Sequence, residues 1–273
     1  MKKLTLRETQ EALLGILVEF DRVCREHGLK YSLIDGTLLG TIRHKGFIPW
    51  DDDVDVIMPR PDYERFYELV KEKKIVFSEH FSLSEDRGKK AVYPFLKLLD
   101  DRYPIRCTTH IEVPFLYLDI FPLDGMPDLP EKKMKKVRRK EIFYEAVISL
   151  YKWYIPTGAW YCQLIRIFGF WFYLLVMCYG QARACKKLRK SLLKYPLETS
   201  ERVGNRAWGI SAGDVPRTFY DEFVDVEFEG KTFSAIAKWD EYLTARYGDY
   251  MTPPKNQNPH HGMRVYKNTA CEK

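Results

Sequence analysis

Apolar residues return at helical spacing over residues 6–27, at Leu13, Ile16, Leu17, Phe20, Val23 and Cys24, and Gly28 follows as a C-terminal cap. Thr5-Leu6-Arg7-Glu8 has the form of a capping box that opens this helix. The period then changes. Residues 30–34 read as a short strand, Asp35-Gly36-Thr37 as a turn, residues 38–45 as a helix ended by Gly46, and residues 53–58 as a strand set up by Pro49. Pro61 at a first-turn position, with Tyr63, Phe66, Tyr67 and Val70, predicts another amphipathic helix running to Lys73. Residues 75–83, 93–99 and 115–121 are β-rich, separated by the turn formers Glu85-Asp86-Arg87-Gly88 and Asp100-Asp101-Arg102; residues 122–130 read as a closing loop.

Helices interleaved with strands predict an α+β fold, a mixed sheet with helices packed on it. The pattern divides the chain into a core over residues 1–130, a helical, apolar insertion over 131–196, and a C-terminal part over 197–273 that completes the core. Within the insertion, residues 132–140 are strongly basic and a helical pattern continues to Tyr154, where Pro156-Thr157-Gly158 breaks it. Residues 167–182 carry no charge. That run is shorter than the ~20 residues of a spanning helix. It reads either as a buried helix or as an interfacial one, with the flanking Lys and Arg meeting anionic headgroups at a membrane surface. After Pro196, Phe223, Val224, Val226 and Phe228, then Glu229-Gly230 and Lys231-Thr232-Phe233, suggest a hairpin; residues 236–247 suggest a short helix ended by Gly248, and Pro253-Pro254 begins an extended polar tail.

Composition changes this picture little. A chain of 273 residues, 45% apolar, can bury a substantial core, which excludes disorder. The net charge of +6 suits anionic partners, but no basic stripe interleaved with aromatic residues points to nucleic acid. Cys24, Cys107, Cys162, Cys178, Cys185 and Cys271 form no C-x-x-C pair and read as reduced thiols of a cytoplasmic protein, and no apolar signal core opens the chain.

The candidate chemistry lies in the acidic strand. Side chains alternate faces along a strand, so Asp53 and Asp55 point the same way while Val54, Val56 and Met58 enter the core. Two adjacent carboxylates repel unless a cation lies between them, and a hard divalent ion, Mg²⁺ or Mn²⁺, suits oxygen donors. Asp119 is the candidate third ligand, because a carboxylate in the apolar stretch Phe115-Leu116-Tyr117-Leu118-Asp119-Ile120-Phe121 is costly unless paired or metal-bound; a cap on the following loop is the structural alternative. Gly36 and Thr37 lie where a strand gives way to a helix, and exposed N–H groups there favour a phosphate. Arg43 and Lys97 would neutralise phosphate charge and His44 would hydrogen-bond it, whereas Lys45 reads as a solvated surface cation. His260-His261 could close over the site or stand idle, and His110 reads as a loop residue.

Three stretches carry a family resemblance: Gly36-Thr37-Leu38-Leu39-Gly40; Arg43-His44-Lys45-Gly46-Phe47-Ile48-Pro49-Trp50-Asp51-Asp52-Asp53-Val54-Asp55; and Leu118-Asp119-Ile120-Phe121-Pro122-Leu123-Asp124-Gly125. With Tyr242-Leu243 and Tyr247-Gly248-Asp249-Tyr250-Met251-Thr252-Pro253-Pro254 they resemble the LicD family of phosphocholine transferases over most of the chain. The resemblance implies a nucleotidyltransferase-like fold, a metal-dependent enzyme with Asp53, Asp55 and Asp119 as catalytic metal ligands, and donor contacts from Gly36 and Thr37. It further implies transfer of phosphocholine from CDP-choline to a sugar hydroxyl of a bacterial surface glycan, teichoic acid or lipopolysaccharide, with CMP leaving. Either Asp119 or Asp51 would take the hydroxyl proton. A quaternary ammonium calls for an aromatic box, for which Trp50, Tyr93, Trp208 and Tyr220 are candidates. A lipid-linked acceptor would place the enzyme peripherally at the inner membrane face. The same chemistry could move another CDP-activated alcohol phosphate or a sugar phosphate. A calcium-binding module is the rival from another class, but the D-x-D-x-D-G loop with a following Glu is absent.

Overall fold

The computed structural model describes residues 1–88, 90–91, 93–106, 113–150, 171, 174, 176, 178–207, 214–254 and 264–267. The first long helix, α1 (Leu6–Glu26), is opened by the expected reciprocal cap: Thr5 Oγ1 accepts from the Glu8 N–H, and the Thr5 N–H donates to the Glu8 carboxylate. Gly28 follows the helix in the left-handed conformation, at φ 59°. Leu13, Ile16, Leu17, Phe20, Val23 and Cys24 are buried to within 1% of full burial, so the predicted stripe is the packed face.

That face lies across β5 (Leu96–Arg106) and β6 (Phe115–Gly125). They belong to one mixed sheet, in which β1 (Lys2–Lys3), β11 (Arg264–Lys267), β5, β6, β3 (Asp55–Pro59) and β2 (Ser32–Leu33) follow in that spatial order. β4 (Phe81–Leu83) adds to β5, while β7 (Arg202–Gly204) adds to β6 and carries β8 (Val215–Pro216). Only the β3–β6 pairing is parallel among the described strands. Leu96, Leu98, Leu116, Leu118 and Ile120 fill the face beneath α1, and Val54, Val56 and Met58 continue that core as the alternation requires. The fold is therefore the expected α+β mixed sheet with helices packed on it.

Several boundaries differ from expectation. The 75–83 strand is ordered as a strand only over Phe81–Leu83. Asp100-Asp101-Arg102 is not a turn but part of β5: the register shifts between Asp100 and Pro104, and the fully buried Asp100 carboxylate is satisfied by the Arg102 backbone and guanidinium. β6 likewise runs through Pro122 and on to Gly125, because parallel pairing on β3 continues through Met58 with Pro122 and Pro59 with Leu123. The hairpin forms as read, with β9 (Phe223–Phe228) and β10 (Lys231–Ile236) joined at Glu229 and Gly230, both at positive φ. β10 extends through Ile236, so the last described helix, α6 (Trp239–Tyr247), starts later than the pattern suggested. Rather than remaining a polar tail, the C-terminal chain returns as β11 between β1 and β5.

α3 (Arg60–Lys71) is tied to the later helices through charge. α4 (Glu131–Leu150) and α5 (Gln181–Leu192) pack on each other, and Arg189 of α5 grips Glu64 of α3 with Nη2 at 2.7 Å from Oε2. Burial works against the Glu64 charge, but Arg189, Arg60 and Arg87 together hold its pKa down to about 2. A carboxylate depressed in the folded state stabilises the fold above its unfolded pKa and loses that contribution as pH falls through the folded value. Glu64→Gln is therefore expected to lower stability by roughly 2–3 kcal/mol at neutral pH and to match wild type near pH 2. Urea unfolding across that range measures it, and a deficit independent of pH would refute the ion-pair origin.

Candidate active site

Asp55 and Asp119 are in register across the parallel pair, and Lys97 faces Asp119 across the antiparallel pair. Directly paired residues present their side chains to the same face, so the three form one row across β3, β6 and β5, opposite the face that α1 covers. Lys97 Nζ donates to Asp119 Oδ1, and Lys97 is only 2% exposed. Three rings surround its ammonium, with centroids at 3.6 Å for Tyr117, 4.4 Å for Tyr93 and 4.9 Å for Phe95. Burial pulls the Lys97 pKa down against the charges of Asp119, Asp55 and Asp53. Burial, followed by the charges of Asp53, Asp119, Asp35 and Asp51, pushes the Asp55 carboxyl well above the ordinary range. The row is a concentration of negative charge with one buried resident cation.

The first turn of α2 (Asp35–His44) closes one side of the row. The helix begins at Asp35, three residues earlier than expected, with Asp35 itself at φ 46°. Thr37 is buried, and its Oγ1 accepts the Asp55 N–H at 2.9 Å, fastening the helix start to the start of β3. A Cβ on Gly36 would stand 2.8 Å from Asp51 Oδ2, and one on Gly40 would stand 2.5 Å from the Gly46 carbonyl oxygen and 3.2 Å from the Ile48 nitrogen. Gly36 and Gly40 thus bare one side of α2 so that the chain from Gly46 to Asp51 lies against it, delivering the acidic run to the row. Gln10 of α1 holds that chain by donating to the Asp51 and Ile48 carbonyls at 2.9 and 3.3 Å.

Arg43 and His44 lie at the opposite end of α2, about 10 Å along the axis from Gly36 at 1.5 Å per residue. Arg43 donates to the Tyr250 carbonyl at 2.8 Å and to His44 Nε2 at 2.9 Å, and the Trp50 ring meets His44 edge to face with centroids 6.5 Å apart. Burial lowers the pKa of Arg43; burial and the Arg43 charge lower that of His44, favouring a neutral imidazole that accepts the Arg43 hydrogen bond. The sequence-derived residues therefore fall into two groups: Gly36, Thr37, Asp51, Asp53, Asp55, Asp119 and Lys97 around the row, and Arg43, His44 and Trp50 beyond it. Trp208, His110, His260 and His261 lie outside the described residues, as does half of the 167–182 run.

Asp35, Tyr242 and Arg246 were missed as site residues. The Tyr242 hydroxyl and Arg246 Nε each donate to Asp35 Oδ1 at 3.0 Å, which docks α6 on the start of α2. Burial raises the Tyr220 and Tyr242 pKa values, and the Asp35 charge adds to both. The adjacency of Asp35 to Gly36 was its only signal in the sequence; nothing marked Arg246. In donor type the carboxylates suit a hard divalent ion, and Asp55 is the group most in need of one. Among the described residues, however, no three His, Cys, Asp or Glu side chains already stand together as a metal-binding group. One Asp119 oxygen is instead engaged by Lys97.

A family model described as LicD/FKTN/FKRP, nucleotidyltransferase domain, matches residues 28–145, which contain the whole carboxylate row and α2. The chain is 33% identical over 276 aligned positions, covering 97% of this chain and 99% of the other, to lipopolysaccharide cholinephosphotransferase LicD of Haemophilus influenzae. Shorter similarities reach uncharacterized proteins of Rickettsia typhi, 32% identical over 63 residues (23% of this chain, 20% of that one), and Rickettsia prowazekii, 28% over 112 residues (34% and 40%).

Proposed function

The chain belongs to the LicD family, and on that footing we propose that it transfers phosphocholine from CDP-choline to a sugar hydroxyl of a bacterial surface glycan precursor, lipid-linked and teichoic acid-like, at the inner membrane face, releasing CMP. The observation that carries this reading is the identity to a cholinephosphotransferase along almost the whole of both chains. A row of carboxylates beside a helix start would by itself serve many phosphoryl transfers.

Asp53, Asp55 and Asp119 would hold a magnesium or manganese ion, which when bound neutralises pyrophosphate charge and favours attack at phosphorus. The chain's own residues do the rest. Lys97 keeps Asp119 oriented towards the row. The first turn of α2 offers peptide N–H groups and the positive end of the helix to the donor phosphates. The sugar hydroxyl oxygen forms the new bond to the phosphorus that bears choline, the bond from that phosphorus to the CMP oxygen breaks, and the hydroxyl proton passes to a carboxylate. Asp119, which accepts from Lys97, and Asp51, which flanks Gly36, are the two candidates to take that proton. Tyr93 contributes its ring to Lys97; Tyr220 beside Asp35, Trp50 and Trp208 remain the candidates for the choline cation.

Incubation with a glycan acceptor and CDP-choline, CDP-glycerol or CDP-ribitol, following CMP release with and without Mg²⁺, tests donor and metal together. Magnesium-dependent release from CDP-choline alone is expected. Turnover of CDP-glycerol or CDP-ribitol with none of CDP-choline would replace the proposed cargo.

A further inference from the structure

We infer that the paired helices α4 and α5 present a docking surface for an anionic phospholipid membrane. The inference rests on the lipid-linked acceptor proposed above for its purpose, and on the surface itself for its argument. Lys132, Lys136 and Arg139 on α4, and Arg183, Lys187 and Lys190 on α5, recur at the same four-then-three spacing and are all exposed, which gives each helix one cationic face. A merely solvated face would mix signs. α5 contains no acidic residue, and past Glu131 the acids of α4, Glu141 and Glu145, are buried.

Exposed apolar side chains occur in the same stretch of the chain. Eight large ones are exposed among the described residues, and four of these, Ile142, Trp171, Leu174 and Leu193, lie on these helices or in the chain between and just after them; Trp171 is 75% exposed. A soluble polyanion would use the cations alone, whereas a bilayer accepts both the cations at its headgroups and the aromatic and aliphatic side chains beneath them. Among the described residues no helix is long and apolar enough to cross a membrane, so the contact proposed is one of surface binding.

The test is flotation of the full chain with phosphatidylcholine vesicles, with and without phosphatidylglycerol. The chain is expected to float only with the anionic vesicles. Each cation near such a surface contributes roughly fivefold in affinity, so the variant carrying Arg183→Gln, Lys187→Gln and Lys190→Gln is expected to bind on the order of a hundredfold more weakly. Its thermal melt and its turnover of a water-soluble, lipid-free acceptor are expected to be unchanged. Trp171→Ser is expected to weaken binding without altering the preference for anionic lipid. Asp55→Asn, which disables the proposed chemistry, is expected to float as wild type does, so the two readings fail separately. Equal flotation with neutral and anionic vesicles, or wild-type affinity in the triple variant, would overturn the inference.

Discussion

Asp55→Asn is expected to fold, to melt at a higher temperature than wild type in the absence of divalent cations, and to lose turnover by about a thousandfold or more. The carboxyl is desolvated and faces the charges of Asp53, Asp119, Asp35 and Asp51, so its pKa is raised in the native state. The folded chain then binds a proton that the unfolded chain releases, and stability falls as pH rises from the ordinary carboxylate range through the raised pKa. Each unit of that rise costs about 1.4 kcal/mol. Asparagine keeps the shape, removes the charge, and should abolish this slope. Divalent cations should reverse the order by raising the wild-type melting temperature while leaving the variant unmoved, because the proposed metal site has lost a ligand. Calorimetry over a pH series with EDTA or Mg²⁺ reads this directly. A variant that melts below wild type in EDTA would contradict the crowding, and one that keeps its turnover would contradict the assigned role.

What the chain's pattern revealed in advance depended on whether the cause was local. The α1 stripe, the Thr5–Glu8 cap and the Glu229–Gly230 turn are set by neighbours within a few residues, and each forms as read. The row of Asp55, Asp119 and Lys97 is different, because strand register is set by tertiary packing. Sequence supplied its members from their chemistry; only the structure shows that Lys97 belongs to Asp119 rather than to open space for a phosphate. Asp100-Asp101-Arg102 misled because a bulge can bury a carboxylate that finds its own guanidinium two residues on. The β11 strand was illegible since its pairing with β1 and β5 depends on partners some 160 and more residues away. Gly36 and Gly40 show the same limit from another side. The place of Gly36 at a helix start suggested a phosphate site, while the contacts of both glycines show that they admit the chain carrying Asp51.

Lys97→Met is expected to destabilise the protein by about 3–5 kcal/mol, the cost of stranding one member of a buried ion pair. At roughly 2–4 °C per kcal/mol in a chain of this size, the melting temperature should fall by on the order of 10 °C. Methionine fills the same space among Tyr117, Tyr93 and Phe95, so lost packing contributes little. What is lost is the positive charge beside Asp119 and within reach of Asp55 and Asp53. Two further measurements separate this cause from a packing defect. The deficit should shrink as pH falls, because protonation relieves a stranded carboxylate, and the double variant Lys97→Met, Asp119→Asn should recover most of the stability while remaining inactive. A double variant no more stable than Lys97→Met would place the cost in packing. A Lys97→Met protein that melts like wild type would mean that the aromatic surround, rather than the ion pair, holds the row together.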